Sequence, residues 1–484
     1  MGAVPVETTL TARDSARYFA PSGEITQAGI HRRTGFINGY TIANGLSYNL
    51  VSASFVLMYA IAYGADERFA GALTGLVGMS MLMGVFSLFL LATYGAARLM
   101  GYAWATRYVF AAGLLLAPLV AAHRSFGPNG ALVLIFLCLA GFSVARAIGA
   151  TAWLPLIHSM TTQRNRMAFM TGNSLRFRIG ATAGIVGALV FLRVAGDTPA
   201  QQGQPHVLWW ILLGGVGVGC VATACLFLLP RRSAVGDHFP SLGQLRADGL
   251  RVWRRPGFRY FFFTVQLAMV AMGLFQAQRV YYLYTVLHFS PSQVASIDAV
   301  NMIGSGVLAF LLHRLAKRVG EMQVLRGTLL VMAIDGICFA TLPPHPLLIG
   351  ASLLIWYTGF VWFYLASDRT MLGECDAQSI QVVPVLWTSL KEFSFGCAAV
   401  MSGFVVHGVG ALLPTWSFRQ HYWIFDQGTM VLLCAALGLM TWSLRRHPLS
   451  AADARLETQA PAAAPPEKSA GGRGGCIAGT KDEA

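Results

Sequence analysis

Charged residues are scarce in this sequence. Aspartate, glutamate, lysine and arginine make up 12% of its 484 residues, whereas a soluble domain carries about 25%. Hydrophobic residues make up 55% of the chain, and the mean hydropathy is +0.56. This composition excludes a water-soluble α/β enzyme, which would place polar amphipathic helices between short apolar strands. Lipid is therefore the expected solvent for most of the surface.

Paired cysteines and the signature motifs of enzymes are also missing. The eight cysteines stand apart without a CxxC pair, which argues against a disulfide framework and a zinc site. The sequence has no Walker lysine loop, so ATP-driven transport by this chain is not expected. It also has no HExxH or GxSxG, which disfavours an intramembrane enzyme. No cofactor or metal is expected, and no cleavable signal peptide is predicted in the mixed, polar segment 1–33.

Apolar runs, in contrast, fill the chain almost from end to end. One helical crossing of a bilayer needs about 20 predominantly apolar residues. The sequence predicts twelve such spans, and hence an all-α membrane protein. The predicted spans are 38–63, 70–94, 104–123, 130–156, 174–195, 207–229, 258–285, 291–313, 324–342, 347–367, 380–407 and 423–444.

The predicted spans fall into two sets of six. The N-terminal half covers 35–229, the C-terminal half covers 258–445, and a basic linker at 230–257 joins them. Segment 1–34 precedes the first span, and the tail 446–484 is rich in alanine, proline and glycine and is predicted to be disordered. Two halves joined by a basic linker are typical of a transporter built from repeats.

Positive charge is distributed unevenly between the two sides of the predicted membrane. Alternate connections carry most of it, at Arg98, Arg107, Arg164, Arg166, Arg176, Arg178, Arg231, Arg232, Arg246, Arg251, Arg254, Arg255, Arg259, Arg314, Lys317, Arg318, Arg326, Arg445 and Arg446. The opposite connections hold Arg68, Arg124, Arg193 and Arg419. Because lysine and arginine accumulate in cytoplasmic loops, both termini and the linker are predicted to be cytoplasmic. The opposite connections then form the predicted outer side.

The basic linker is predicted to lie on the membrane surface. Residues 251–259 combine several arginines with Trp253, a pattern that favours an amphipathic helix on the anionic inner leaflet. The net charge of +14 is therefore interpreted as a signature of membrane orientation. Binding to nucleic acid is not expected.

Three connections carry motifs of a known family. The connection after the eighth span reads Leu315-Ala316-Lys317-Arg318-Val319-Gly320, and a related pattern after the second span runs from Gly95 through Arg98 to Gly101. The fourth span ends on Trp153-Leu154-Pro155, followed by the basic turn Arg164-Asn165-Arg166. With these motifs, the chain resembles the major facilitator superfamily over about residues 35–445.

The resemblance implies two six-helix halves that move a solute by alternating access. It also implies a cytoplasmic gate at Arg98, Lys317 and Arg318. Lys317 stands where the family's loop usually has an aspartate, and the first copy of the loop has no acid at the matching place. Gating is therefore expected to use contacts other than the family's usual charge pairs.

Three glycines of the fifth span have two interpretations. Gly180, Gly184 and Gly187 are similar to the glycine-rich antiporter motif of the family, although its proline is missing. Small residues at helical spacing also allow two membrane helices to pack closely. We favour the packing interpretation.

Ionisable residues within the spans are the first candidates for function, because a charge at membrane depth costs about 2.5–3.5 kcal/mol. Arg146, in the fourth span, either contacts the solute or bonds to helix-end carbonyls or an acid. Asp298, in the eighth span, is either a proton-coupling carboxylate or an acid that water reaches near the start of its helix. Glu392, in the eleventh span, is the second coupling candidate, and its neighbour Lys391 points about 100° away from it.

Two other charges have a structural interpretation. Asp335 lies in the ninth span, which the resemblance places at the periphery, so a capping or packing role is expected. Arg279, near the end of the seventh span, either belongs to the polar residues that this span supplies to the cavity or extends its side chain to the outer interface.

The resemblance implies that the first, fourth, seventh and tenth spans line a central cavity. These spans carry amides and aromatic side chains that need partners when they are removed from water. The predicted substrate-binding residues are Asn44, Tyr48, Asn49, Arg146, Gln276, Tyr282 and Tyr357. Together their chemistry suits an organic solute with an anionic group and a flat or sugar-like body.

The sequence therefore predicts a secondary active transporter of a small organic solute, with protons as the candidate coupling ion. The alternative is a membrane-embedded scaffold, a sensor or a lipid-moving protein of the same fold. The expected location is a bacterial inner membrane, crossed several times, with both termini in the cytoplasm. The expected partners are the solute and the lipid bilayer, and the chain is expected to be a monomer.

Overall fold

The computed structural model of the chain describes residues 27–51, 54–153, 156–157, 163–195, 205–229, 242–339, 341–374 and 383–446. Within these ranges every long regular element is a helix. The predictions made for segment 1–26, for linker residues 230–241 and for the tail from residue 447 onward lie outside the described residues.

The helices of the N-terminal half follow the six predicted spans. The first span is described over Gln27–Val51 and Ser54–Ala62, and the second and third consist of two helices each, namely Glu67–Met79 with Met83–Tyr94 and Ala96–Gly113 with Ala117–Ala122. Short 3₁₀ turns, Ser80–Leu82 and Leu114–Leu116, join the helices of the second and third spans. The other three spans are Gly127–Thr151, Gln163–Val194 and Pro205–Phe227.

The C-terminal half repeats this pattern after one short helix, Leu242–Trp253. Its seventh span is the helix Pro256–Tyr281, which continues into a π-helical turn, Tyr282–Val286. The remaining spans are Pro291–Val319, Glu321–Phe339, Pro346–Glu374, Val383–Leu412 and Phe418–Arg446.

Twelve helical spans account for the apolar character of the sequence. Eleven helical stretches in the described residues are long and apolar enough to cross a membrane. The predicted eighth span lies in a further helix, Pro291–Val319, whose 29 residues exceed the length needed for a crossing. The prediction of an all-α membrane protein with twelve spans is confirmed.

Large apolar side chains remain exposed on the outside of the helical bundle. Val109 is 71% exposed, Leu119 is 70% exposed and Leu347 is 77% exposed. In water such a surface would favour aggregation, since soluble monomers rarely expose large contiguous apolar patches. In a bilayer the same side chains contact lipid tails, which agrees with a multi-pass membrane protein.

Several helices begin at residues that suit a first turn. Pro256 occupies the first turn of the seventh span, where its missing N–H costs no hydrogen bond. Asp66 caps the second span by accepting a hydrogen bond from the backbone N–H of Phe69 at 2.8 Å. Partial burial raises the pKa of Asp66, but this hydrogen bond and the Arg68 guanidinium outweigh burial and leave the pKa below its ordinary value.

Two predictions about the positive charges are corrected by the helix boundaries. Arg107 was counted among the charges of the connections although it falls within the predicted span 104–123, and it lies inside the helix Ala96–Gly113, where it is 1% exposed. The predicted surface helix at 251–259 is also wrong in its extent. The amphipathic helix ends at Trp253, because Pro256 begins the seventh span and Arg254 and Arg255 form the turn between the two helices.

The two halves meet along two pairs of spans. The second span packs along the eleventh, and the fifth packs along the eighth. Within the N-terminal half, the first span packs between the fifth and the sixth. A Cβ placed on Gly184 would lie 2.8 Å from the carbonyl oxygen of Leu46, and one on Gly180 would overlap the carbonyl of Ile42. Both glycines thus serve close packing of the fifth span on the first.

Glycines also bring the second and eleventh spans together at backbone distance. A Cβ on Gly75 would lie 2.6 Å from the carbonyl oxygen of Gly396, and one on Gly71 would lie 2.7 Å from that of Ala399. Real Cβ atoms do not approach this closely, so a larger residue would force the helices apart. These contacts run from the predicted outer end of the second span towards the membrane centre. The halves are therefore in close contact over the half of these two helices that is predicted to face outwards.

Candidate functional site

A cavity of about 370 Å³ lies between the two halves. Its wall combines side chains of the first, second and fifth spans with side chains of the seventh, eighth and tenth spans. The polar and aromatic residues that line it are Asn49, Ser54, Phe55, Thr74, Ser174, Phe177, Arg178, Gln276, Arg279, Asp298, Asn301, Ser305, Tyr357 and Phe360. A solute in this cavity would contact both halves at once.

An ion pair forms the most strongly bonded part of the cavity wall. Arg279 Nη1 of the seventh span lies 3.0 Å from Asp298 Oδ1 of the eighth. Ser54 Oγ, from the first span, donates a hydrogen bond of 2.5 Å to Asp298 Oδ2. Asp298 is therefore held from both halves of the protein. The Arg279 side chain is 4% exposed and is buried in this pair. It therefore does not extend to the outer interface, which was one interpretation of the sequence.

An aromatic ring and an amide support the ion pair. The guanidinium carbon of Arg279 lies 4.8 Å from the centre of the Tyr357 ring, a cation–π distance. Gln276 Nε2 donates a hydrogen bond of 2.5 Å to the hydroxyl oxygen of Tyr357. Gln276 and Arg279 are one turn apart on the seventh span and therefore reach the same tyrosine.

Other polar residues of the cavity wall are weakly bonded. Asn49 Nδ2 donates to the backbone carbonyl of Gly45 at 3.1 Å, within its own helix. Asn301 is 2% exposed, and neither its amide nitrogen nor its amide oxygen has a hydrogen-bond partner among the described residues. Arg178 of the fifth span also lines the cavity. This wall therefore has unused hydrogen-bonding capacity.

A second polar cluster lies in the N-terminal half, apart from the residues that line the cavity. Asn44 Oδ1 accepts hydrogen bonds from Trp104 Nε1 at 3.0 Å and from Arg107 Nη1 at 3.3 Å. The centre of the Tyr48 ring lies 5.3 Å from the guanidinium carbon of Arg107 and 5.2 Å from that of Arg146. Asn44, Tyr48 and Arg146, all predicted to bind solute, are thus grouped with a buried arginine outside the cavity.

Solved structures of transporters share this arrangement of helices. The nucleoside transporter NupG matches with a TM-score of 0.59, 14% identity, 85% of this chain and 98% of that chain. A bacterial homologue of the human lysosomal transporter Spinster, in an inward-facing and occupied conformation, matches with a TM-score of 0.62, 14% identity and coverages of 85% and 97%. The E. coli fucose:proton symporter FucP matches with a TM-score of 0.53, 12% identity and coverages of 84% and 98%. The chain has the major facilitator fold.

Sequence comparison alone does not detect this likeness. No protein-family model and no curated protein sequence matches the chain. At identities of 12–14% the solved structures establish the fold and leave the solute open. The resemblance inferred from the loop motifs is confirmed at the level of the fold.

Within the major facilitator fold, Tyr282 lies away from the cavity. Its ring packs against Tyr422 at 4.9 Å and against Phe339 at 5.8 Å, between the ring centroids. Tyr282 follows Gln276 by six residues, which turns it by about 240° around the helix axis. The predicted substrate-binding residues that do line the cavity are Asn49, Gln276 and Tyr357.

The two predicted coupling carboxylates occupy different environments. Asp298 lines the cavity, whereas Glu392 accepts a hydrogen bond of 2.6 Å from the hydroxyl of Tyr364 on the tenth span. Lys391 is fully buried, and its Nζ lies 2.6 Å from Asp368 Oδ1. As predicted, Lys391 and Glu392 do not pair with each other. Both instead connect the eleventh span to the tenth.

The remaining predicted residues lie near the ends of their helices or outside the cavity. Arg98 and Arg318, predicted to gate the cytoplasmic side, are exposed, and the side chain of Lys317 lies outside the described residues. Asp335 accepts a hydrogen bond of 2.8 Å from Ser352 Oγ, which ties the ninth span to the tenth. This contact is the packing role expected of Asp335.

A polar cluster on the predicted outer side was not anticipated from the sequence. His407 Nδ1 lies 2.8 Å from Glu67 Oε1, and the hydroxyl of Tyr281 donates to Glu67 Oε2 at 3.4 Å. Gln278 Nε2 donates to the backbone carbonyl of Glu67 at 3.2 Å and to Ser402 Oγ at 2.8 Å. Glu67 belongs to the N-terminal half and the other four residues to the C-terminal half. The cluster therefore fastens the halves beside the glycine contact.

Arg178 and Ser54 were also missed as cavity residues. Arg178 was counted among the cytoplasmic loop charges, although it falls within the predicted fifth span 174–195. Its position inside a span was the available signal. Ser54 carried no signal, because serine is common in membrane helices and its role depends on the distant Asp298.

Proposed function

We propose that this protein is a secondary transporter that moves a small organic solute by alternating access, with the central cavity as its solute site. The observation that carries the proposal is the Arg279–Asp298 pair, which lies on the cavity wall and is bonded to Ser54 of the other half. A buried charged group that links two mobile halves is a suitable place for solute binding to alter their contact. Proteins described as nucleoside, fucose:proton and peptide transporters have the same fold.

The size of the cavity favours a small solute over a lipid. At about 370 Å³ it lies near the lower end of the 300–1,000 Å³ found for ligand pockets. A single-ring solute fits such a volume, whereas a two-chain lipid does not. This argues against the lipid-moving alternative. A scaffold or sensor would need no such cavity.

Alternating access requires the outer contact between the halves to open and close. The glycines of the second and eleventh spans and the Glu67–His407 cluster hold the outer side closed. Opening this side requires the two halves to separate along the same surfaces while the cytoplasmic side closes. The exposed Arg98 and Arg318 lie at the cytoplasmic ends, where we propose that the second gate forms.

Proton coupling is proposed through Asp298, with Glu392 as the second candidate. A proton on Asp298 would cancel the charge that holds Arg279 at 3.0 Å. Arg279 and Tyr357 would then be free to rearrange around the solute. Glu392, bonded to Tyr364, would change the contact between the tenth and eleventh spans when it is protonated.

The distribution of positive charge supports the proposed orientation. We propose that the protein is a monomer in a bacterial inner membrane with both termini in the cytoplasm. The basic turn at Arg254 and Arg255 and the exposed Arg98 and Arg318 then lie on the cytoplasmic side. A cysteine introduced at Arg254 should react with an impermeant maleimide only after the cells are permeabilised. Reaction in intact cells would reverse the orientation.

A ligand screen followed by a flux measurement tests the proposed function. The purified full-length protein is screened by thermal unfolding against nucleosides, sugars, dipeptides and organic acids. A ligand at 100 times its Kd stabilises the folded state by about 2.7 kcal/mol. We expect a hit that is weakened by Gln276→Ala and Asn49→Ala and that is taken up by proteoliposomes. A folded, monodisperse sample with neither a hit nor flux would favour the scaffold or sensor.

Asp298→Asn is expected to remove the pH dependence of solute binding. The variant keeps the side-chain shape but can no longer exchange a proton, so the ligand-induced rise in Tm should no longer change with pH. Asp335→Asn is the matched control, because Asp335 is a membrane acid outside the cavity lining and should leave the pH dependence intact. An unchanged pH profile in Asp298→Asn would exclude Asp298 as the coupling group.

A further inference from the structure

Arg178 extends into the central cavity from the fifth span. The residue is half-buried, and it lies against the eighth span of the other half. A Cβ on Gly306 would lie 3.5 Å from Arg178 Cδ and 3.7 Å from its Nη1. The arginine side chain is therefore in van der Waals reach of the eighth span at Gly306. Its guanidinium lies where the two halves meet.

Arg178 has no acidic partner in the described part of the chain. The ion pairs found there are those of Arg68, Arg255, Arg279, Lys391 and His407. Asp298 is the acid of the cavity wall, and it is already paired with Arg279. The described cavity wall thus retains one uncompensated positive charge. A charge within a membrane span costs free energy. Its presence there is therefore a reason to look for a function.

A second unused polar group lies on the same surface. Both polar atoms of the Asn301 side chain are buried without a partner among the described residues. Asn301 and Ser305 lie one turn apart on the eighth span, both line the cavity, and Gly306 follows them. A buried amide without hydrogen bonds is unfavourable. A ligand that brings acceptor atoms to this surface would accept hydrogen bonds from the amide nitrogen of Asn301 and from the guanidinium of Arg178.

We propose that the solute is a small organic anion, and that its carboxylate or phosphate oxygens bind Arg178 and Asn301 between the fifth and eighth spans. The inference rests on the proposed function and names the class of solute. A cationic group is disfavoured because Arg279 already occupies the only described acid of the cavity wall. The planar guanidinium of arginine suits two-oxygen anions. The remainder of the solute faces Phe177, Tyr357 and Phe360.

Binding of the anion in this way would also affect the contact between the fifth and eighth spans. Arg178 belongs to the N-terminal half and Asn301 to the C-terminal half, so an anionic group that binds both residues would bridge the halves. An empty cavity lacks this bridge. Anion binding therefore favours the conformation in which the fifth and eighth spans are in contact, because a ligand shifts a conformational equilibrium towards the state that it binds more tightly.

Matched pairs of anionic and neutral solutes test the proposal. Full-length protein in detergent is titrated with benzoate and phenyl phosphate against benzamide, and with glucuronate against glucose, by thermal unfolding. Uptake of the radiolabelled compounds is then measured in proteoliposomes. We expect at least one anion to stabilise the protein and to enter protein-containing vesicles faster than protein-free vesicles, while its neutral counterpart shows neither effect. The comparison of benzoate with phenyl phosphate distinguishes the carboxylate from the phosphate.

Substitutions at Arg178 and Asn301 assign the effect to this surface. Arg178→Gln should weaken binding of the anion by at least about tenfold, since hydrogen bonds to charged groups are the stronger ones. Arg178→Lys should retain part of the affinity because it keeps the charge and loses the planar fork. Arg193→Gln is the matched control, because Arg193 is an exposed arginine of the same helix. Asn301→Ala should weaken binding of the anion. It should not destabilise the unliganded protein, since the Asn301 side chain has no hydrogen-bond partner among the described residues that could be lost.

The outcomes separate this proposal from the proposed function. If neutral solutes bind and are transported while none of the anions does better than its neutral counterpart, the anion proposal is overturned and the transporter remains. Anion binding that is equal in the parent and in Arg178→Gln would overturn it as well. If no compound of the wider screen binds or crosses the vesicle membrane, the proposed function itself fails.

Discussion

Replacing Arg279 with alanine is expected to destabilise the protein by about 3 kcal/mol and to abolish transport. Removing one partner of a buried ion pair costs about 3–5 kcal/mol, because the other charge is left without compensation. The lower end applies here, since the side chain of Asp298 retains 15% exposure in the cavity. Thermal and denaturant unfolding of the purified variant measure the change in stability. Flux in proteoliposomes measures the change in transport.

A double variant distinguishes the buried charge from the shape of the side chains. Arg279→Gln combined with Asp298→Asn removes both charges together, so it should recover most of the stability lost in either single variant. It should not recover transport, because the proposed coupling carboxylate is absent. If Arg279→Ala unfolded at the same temperature as the parent, the ion pair would not hold the cavity wall together.

Replacing Gly75 with leucine is expected to hold the outer side open and to stop transport. The new side chain would meet the backbone of Gly396 and the side chain of Val400 in the closed state. Overpacking of this kind costs about 1–3 kcal/mol. A cost of that size, applied to the closed state alone, shifts the balance between the states by about 5–150-fold. The transport cycle then lacks its outward-closed state.

Cysteine labelling measures this shift directly. Thr74 neighbours Gly75 and lines the cavity, so Thr74→Cys reports whether solvent reaches the cavity from the outer side. We expect faster reaction with an impermeant maleimide in the Gly75→Leu background than in the parent. Gly217→Leu is the control, because a Cβ at Gly217 meets nothing within 4 Å. Equal labelling rates in the two glycine variants would contradict the proposed outer closure.

The fold could be predicted from the sequence because membrane helices are specified locally. About 20 apolar residues suffice for a span, and the arginine bias predicts the orientation. The environment of a charged residue inside a span is less local. Arg107 is buried in the third span because it packs among aromatic rings of neighbouring spans, with Phe142 of the fourth at 4.3 Å and Tyr48 of the first at 5.3 Å. Those contacts exist only after the helices pack.

The candidate site could be predicted in part, for the same reason. Asp298, Gln276 and Tyr357 stand out as polar groups within apolar runs, and all three line the cavity. Tyr282 stands out equally, but its direction depends on the rotation of the seventh span, which the sequence does not specify. The ion-pair partner of Arg279 could not be predicted from the sequence either. It lies on the next span, and only the packing of the two helices brings Asp298 to 3.0 Å.

The glycine contact between the second and eleventh spans also bears on how quickly the halves can separate. At Gly71, Gly75, Gly396 and Gly403 the surface is backbone, and glycine loses no side-chain rotamer freedom when it is buried. Few side chains there must therefore be freed or frozen when this part of the interface opens or closes. Such a contact adds little to the activation barrier for domain motion. The turnover rate would then be set by the polar bonds around Glu67 and by the solute.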